Sequence, residues 1–173
     1  MVMGWRFVGA VPDSSKFVIV GFPHTSNWDF FVFLAVVDHF KIRARFLAKE
    51  GLFRGPFGSI MRHWGGISVD TEGATALVDT AVASFDDHDE MVLVIAPEGT
   101  RSRAEAWRTG FWRIADAADV PVVMGFVDRS TKRAGLGPSA RIEGDPERWI
   151  RRAADFYADK KGLKSQNRGP VTL

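Results

Sequence analysis

Cysteine is absent from this chain, and its absence excludes disulfides, thiolate metal sites and a cysteine nucleophile together. Apolar runs such as Phe17 to Val20 and Phe30 to Val37 fall far short of the roughly 20 residues a helix needs to cross a bilayer, so no membrane-spanning segment is expected. Residues Met1 to Ala10 lack the charged lead, apolar stretch and small-residue cleavage site of a secretory signal. A cytoplasmic location is the expectation. No Gly-x-Ser-x-Gly elbow occurs, which argues against a serine hydrolase. No repeat, linker or low-complexity tract divides the sequence, and one domain over residues 1–173 is expected.

What is present suits a globular protein: 46% apolar and 25% charged residues are enough for one substantial core. The net charge of +2 is unevenly spread. From Arg148 onward seven Lys or Arg face two acids, +5 there against −3 in the rest. A basic tail carrying Trp149 and Tyr157 could meet anionic headgroups or nucleic acid, but a solvated helix face with a flexible tail from about residue 161 is the preferred reading. Nucleic-acid binding has no motif behind it and is not expected.

Hydrophobic patterning alternates between strand and helix. Phe17 to Val20, Arg45 to Ala48, Ile67 to Asp70, Met91 to Ala96 and Pro121 to Val127 read as strands, with a short one near Ala140 after a glycine-rich turn. Helices are expected after Ser26 or Asn27, over Ala74 to Phe85, from about Thr109 to Ala118, and from Pro146 to about Lys160. Leu52 to Trp64 is a basic amphipathic segment broken at Gly55-Pro56. The pattern predicts an α/β layered domain, a mostly parallel mixed sheet flanked by helices, with ligands at the carboxyl ends of strands. Gly135 to Ala140 superficially matches a dinucleotide fingerprint, but with Pro138 and no helix following it reads as a plain turn.

Two loops at such strand ends carry the chemistry. His24 stands in the first, and Asp29 lies a short way into the helix that follows. Acyl transfer to an alcohol needs a base for the hydroxyl proton, and a neutral imidazole held by a carboxylate suits that work. By spacing alone the pair is weak: with 14 aspartates and four histidines, a chance match arises about one time in three. The structural alternatives are a loop histidine bonded to a carbonyl and an aspartate capping its helix. The second loop, Glu98-Gly99-Thr100-Arg101-Ser102, joins a flexible glycine, hydroxyls and a guanidinium able to grip an anion with the backbone N–H groups of the turn. An ordinary loop with a Glu98–Arg101 ion pair is the alternative there.

Pro23-His-Thr-Ser-Asn-Trp-Asp29, Pro97-Glu-Gly-Thr-Arg-Ser102 and Val120-Pro-Val-Val123, in that order, resemble the first, third and fourth motifs of the glycerolipid acyltransferase family, especially its short bacterial members. The resemblance runs from Gly4-Trp5 through Leu52 to Phe57 and Trp107 to Phe111 as far as Val122. It implies a glycerol-3-phosphate acyltransferase-like fold, an acyl-CoA or acyl carrier protein donor, no metal, no bound cofactor, and direct attack of a lipid hydroxyl on the thioester without an acyl-enzyme. His24 is then the general base and Asp29 its partner, while Arg101 binds acceptor phosphate; Glu98 is read as organising the loop and orienting Arg101, with a merely local ion pair as the alternative. One departure stands out: the second motif commonly ends in Asp-Arg, and here Asp70 is followed by Thr71. Lys49, Arg54 and Arg108 are candidates to share the phosphate with Arg101.

The implied activity is acylation of a lysophospholipid-type alcohol, with peripheral contact at the inner face of a membrane; Phe53, Phe57, Met61 and Trp64 could contribute to it, but at such spacing core packing is the preferred reading. Two alternatives remain open from the sequence. One is a lipid-binding homologue without turnover; the other is a thioesterase in which water replaces the alcohol.

Overall fold

The computed structural model describes residues 4–55, 57–69 and 74–173. Seven strands form one sheet: β1 (Arg6–Val8), β2 (Lys16–Phe22), β3 (Ala44–Lys49), β4 (Gly66–Val69), β5 (Met91–Ile95), β6 (Val122–Asp128) and β7 (Arg133–Ala140). Five helices accompany them: α1 (Asn27–His39), α2 (Phe57–His63), α3 (Ala74–Asp86), α4 (Gly110–Ala117) and α5 (Pro146–Tyr157). The strand order is β1-β7-β6-β2-β5-β3-β4, parallel throughout except between β6 and β7. This is the mostly parallel α/β sheet that the alternating pattern predicts.

Strands β2, β5 and β6 are almost unbroken apolar runs because both faces of the central sheet are covered. Side chains alternate between the faces. Val18, Val20 and Phe22 pack on one side with Phe85 of α3, Phe111 and Ile114 of α4, and Trp149 and Tyr157 of α5. Phe17 and Ile19 point the other way with Val123 and Leu136. Val36 of α1 packs on that second side with Val127 and Ala134.

The less favoured surface reading of two aromatics is set aside, and the reading of a glycine-rich segment is corrected. Trp149 and Tyr157 do not face outward, since they are 5% and 0% exposed, and the Tyr157 hydroxyl reaches the carbonyls of Val20 and Gly125 at 2.9 and 3.1 Å. The charged residues of α5 lie on its opposite side, as expected of an amphipathic helix. Nor is Gly135 to Ala140 a turn; it belongs to β7, which pairs with both β6 and β1. Gly135 has φ of 152°, and a Cβ there would stand 2.0 Å from the Val8 carbonyl oxygen, so glycine serves the close approach of β1. The ladder opposite Pro138 is irregular between Val123 and Gly125.

The segment after α5 also departs from expectation. Instead of leading away as a flexible tail, residues 161–173 lie along the ends of β6, β2 and β5, fixed by hydrogen bonds to all three regions. Their polar backbone finds partners there that a charge count does not reveal.

Candidate active site

β2 and β5 are neighbours in the sheet, with Val20 opposite Ile95, so the loops that follow them emerge side by side. The first loop turns into α1 through a capping box: the Ser26 hydroxyl accepts the Trp28 N–H at 3.2 Å, and the Asp29 carboxylate accepts the Ser26 N–H at 2.6 Å. Asp29 Oδ2 also accepts the Thr25 N–H at 2.6 Å and its hydroxyl at 3.3 Å. The capping role weighed for Asp29 is therefore real, and the carboxylate that fills it is buried. Its Oδ1 has no hydrogen-bond partner among the described residues.

His24 Nδ1 stands 4.0 Å from Asp29 Oδ2, too far for a hydrogen bond but close enough for the carboxylate to favour an imidazolium. The ring remains 25% exposed, so a substrate can reach it. Burial lowers the pKa of His24 from its ordinary 6.5; Asp29 opposes that shift and the Arg101 guanidinium adds to it. A downward shift favours the neutral imidazole near neutral pH.

Glu98 occupies a place the sequence did not suggest. It turns inward, 2% exposed, and does not bond Arg101. Its Oε2 accepts the backbone N–H of His24 at 2.9 Å, and its Oε1 accepts the N–H of Gly169 at 3.2 Å. Burial pushes its pKa up, while both N–H donors and the nearby Arg168 pull it back. Glu98 thus anchors the histidine loop directly.

Gly99 adopts φ of 63°, and a Cβ on it would meet Arg108 Nε at 2.8 Å, so the Arg108 side chain packs over this turn. The N–H groups of Gly99 and Ser102 are used within the loop, by the Ala96 carbonyl at 3.1 Å and the Thr100 hydroxyl at 3.2 Å. Arg101 is exposed and has no ion pair among the described residues. Lys49 ends β3, one strand further along, and Arg54 follows that strand, paired with Glu50 at 3.1 Å. Asp70 and Thr71 lie outside the described residues.

Apolar surface begins beside His24. Trp28 and Phe31 of α1 are 68% and 52% exposed, and Phe30 links them to Trp64, with ring centroids 5.7 Å apart. Leu52 and Ile60 are exposed as well. Of the four residues weighed between surface and core, Trp64 is exposed, Phe53 is buried as the preferred core reading has it, Met61 is half-buried, and the side chain of Phe57 lies outside the described set.

A family model described as Acyltransferase matches residues 7–125, more than half the chain and both loops. The chain belongs to the acyltransferase family. A search of curated proteins finds no match. Among solved structures, the crystal structure of the 1-acyl-sn-glycerophosphate acyltransferase PlsC from Thermotoga maritima is similar, with a TM-score of 0.64, 18% identity, and coverage of 87% of this chain and 67% of that one. At that identity the likeness concerns the fold. β7, α5 and the segment beyond lie past the family match, so this acyltransferase holds His24 partly with residues the family model does not reach.

The sequence offers Ser26 as a cap of the helix carrying Asp29, which it is, but Thr25, Asn167, Arg168 and Gly169 were missed as supports of the site. A Ser-x-x-Asp pattern signals the cap that uses Ser26, but nothing local marks the other four.

Because Arg101 lowers the His24 pKa, an Arg101→Gln variant of this acyltransferase should show the acid limb of kcat/KM moved to higher pH. That limb reports the base of the free enzyme. Rates measured between pH 4.5 and 8 with a single acyl donor check it, and an unmoved limb would separate Arg101 electrostatically from His24.

Proposed function

We propose that this acyltransferase moves a fatty acyl group from acyl-CoA or acyl carrier protein to a hydroxyl of a lysophospholipid-type acceptor, with lysophosphatidic acid as the first candidate. The supporting observation is the juxtaposition of a neutral, accessible His24 beside Asp29 with an exposed, unpaired Arg101 on the adjacent strand end. With Nδ1 turned toward Asp29, Nε2 is the atom left for the acceptor. It takes the hydroxyl proton as the oxygen attacks the thioester carbonyl. The new C–O bond forms, the C–S bond breaks, and the proton passes from the imidazolium to the departing thiolate. Asp29 stabilises the transient imidazolium.

Arg101 suits an acceptor phosphate because a guanidinium can bind phosphate oxygens in a bidentate fashion. Arg108 lies over the same turn, and Lys49 stands at the next strand end. The exposed Trp28, Phe31, Leu52, Ile60 and Trp64 support an apolar route for the acyl chain and peripheral contact with the inner face of a membrane. No helix among the described residues is long and apolar enough to cross one. The placement read here is cytoplasmic, at the membrane surface.

The test is a panel of lysophosphatidic acid, other lysophospholipids, glycerol 3-phosphate and non-phosphorylated lipid alcohols, each offered with one labelled acyl-CoA. Transfer to phosphorylated acceptors is expected, with Arg101→Ala raising their KM while leaving kcat closer to the parent, because a phosphate contact made before reaction contributes throughout. Full-rate release of free acid without acceptor would make the chain a thioesterase instead.

A further inference from the structure

Thirteen residues beyond the helices, 161–173, lie against the site, and their contacts are concentrated on its two loops. The segment leaves α5 with the Lys161 N–H on Asp128 Oδ1 at 3.1 Å, at the end of β6. Arg129 then bonds the Leu163 carbonyl at 3.1 Å. Gly162 passes so close to the histidine loop that a Cβ on it would meet Thr25 Oγ1 at 2.6 Å.

Thr25 receives two further bonds from the same segment. The Lys164 N–H donates to its hydroxyl at 3.0 Å, and the Asn167 side-chain amide donates to its carbonyl at 3.1 Å. Arg168 sets its guanidinium 5.2 Å from the centre of the Phe22 ring and donates to the Tyr157 carbonyl at 2.9 Å. Gly169 gives its N–H to Glu98, whose other oxygen holds the N–H of His24. A Cβ on Gly169 would stand 2.4 Å from the Ala104 carbonyl oxygen, and the Thr172 carbonyl accepts the Trp107 N–H at 2.7 Å. His24 is therefore braced on both sides. Its own N–H reaches the strap through Glu98, and the next residue is hooked by Asn167 and Lys164.

We propose that residues 162–169 form a positioning strap for the catalytic base, with Asn167 as its side-chain hook and Gly169 acting through Glu98, setting the orientation of the imidazole rather than binding either substrate. The inference rests on the reading of His24 as the base. Bonds to the carbonyl and hydroxyl of Thr25 control the backbone that carries the ring, and an error of about 1 Å in a reacting group can cost on the order of 10²-fold in rate. The strap also keeps water from the loop's inner side, sustaining the burial that holds His24 neutral against the pull of Asp29. Two charged groups act on the ring, Asp29 from α1 and Arg101 from the loop after β5; Glu98 bonds the His24 backbone instead, and Arg168 of the strap acts on Glu98.

The test compares the full-length parent with Asn167→Leu, which removes the donor at similar size, and Asn167→Asp, a near isostere that cannot donate to a carbonyl when ionised. A positioning role predicts kcat lower by about 10- to 100-fold, donor and acceptor KM within about twofold, and, in Asn167→Leu, the acid limb of the pH profile moved up toward 6.5. The His24 imidazole resonances, assigned by their loss in His24→Ala, should titrate at a higher pH in Asn167→Leu; the new carboxylate of Asn167→Asp would raise that titration by its charge alone, so this variant is read through kcat and KM. Parental kcat and an unshifted His24 titration in folded Asn167→Leu, or parental kcat in folded Asn167→Asp, would overturn the proposal. So would a loss of rate that merely follows the folded fraction. If Asn167→Leu does not fold, Asn167→Asp supplies the comparison. The NMR titration needs no turnover, so absence of acyl transfer by the parent would strike the functional reading alone and leave the strap to be decided by the resonance shift.

Discussion

His24→Ala is expected to lower kcat by about 10² to 10⁴-fold, the usual worth of a general base. The ring lies one residue beyond Pro23 at the end of β2, accessible on one side and held at its backbone by Glu98. Removing it leaves those anchors intact, because Glu98 bonds the main-chain N–H and Asp29 bonds Thr25 and Ser26. The variant should therefore fold, and its thermal unfolding midpoint should stay near that of the parent. Initial rates with a labelled acyl donor and saturating acceptor decide the matter. An alanine variant acylating at the parental rate would remove the base from this mechanism altogether.

Asp29→Asn should produce a fall of roughly 10²-fold, by a different route. An amide oxygen can replace Oδ2 and go on accepting the N–H groups of Thr25 and Ser26, while the new NH2 occupies the position of the unpartnered Oδ1. Geometry is largely kept and the negative charge is lost. Since Asp29 raises the His24 pKa against the effect of burial, neutralising it lowers that pKa further, and the acid limb of kcat/KM should move to lower pH. This is opposite in sign to the Arg101→Gln shift. Asp29→Ala is the contrasting case: with the acceptor gone, two buried N–H groups lose their partner at about 1 to 3 kcal/mol each. The alanine variant should be measurably less stable, and the asparagine variant much less affected. Equal thermal destabilisation of the two would show that the charge, and not the acceptor oxygen, holds the loop.

Much of this architecture was legible because its signals are local. Apolar runs such as Met91 to Ile95 and the helix start at Ser26 declare themselves within a few residues. The two loops could be recognised and expected to converge, since carboxyl ends of parallel strands share one edge. Gly135 was harder. Its role depends on the backbone of β1, more than 120 residues earlier in the chain, so in isolation it looked like turn chemistry. Trp149 and Tyr157 left a surface reading open for a related reason: basic neighbours on the outer face of α5 drew attention from the inner face, which carries both aromatics into the core. Glu98 was assigned to Arg101 by proximity in sequence, whereas its partners are separated from it by 74 and 71 positions. Bonds of that range leave no periodic trace. An exposed aromatic patch was weighed near α2, where core packing was preferred, and the patch begins on α1 because that helix is apolar nearly all round yet buries only Asp29 and Val36.

The position of the strap bears on the order in which the protein becomes competent during synthesis. Contacts spanning 139 and 142 residues join Thr25 to Lys164 and Asn167, and such distant closures are the slow ones in folding. A ribosome will have made the entire sheet before residues 164–169 can emerge. Until then the base-bearing loop lacks its last restraints, so a growing chain can acquire its core well before it acquires catalytic order.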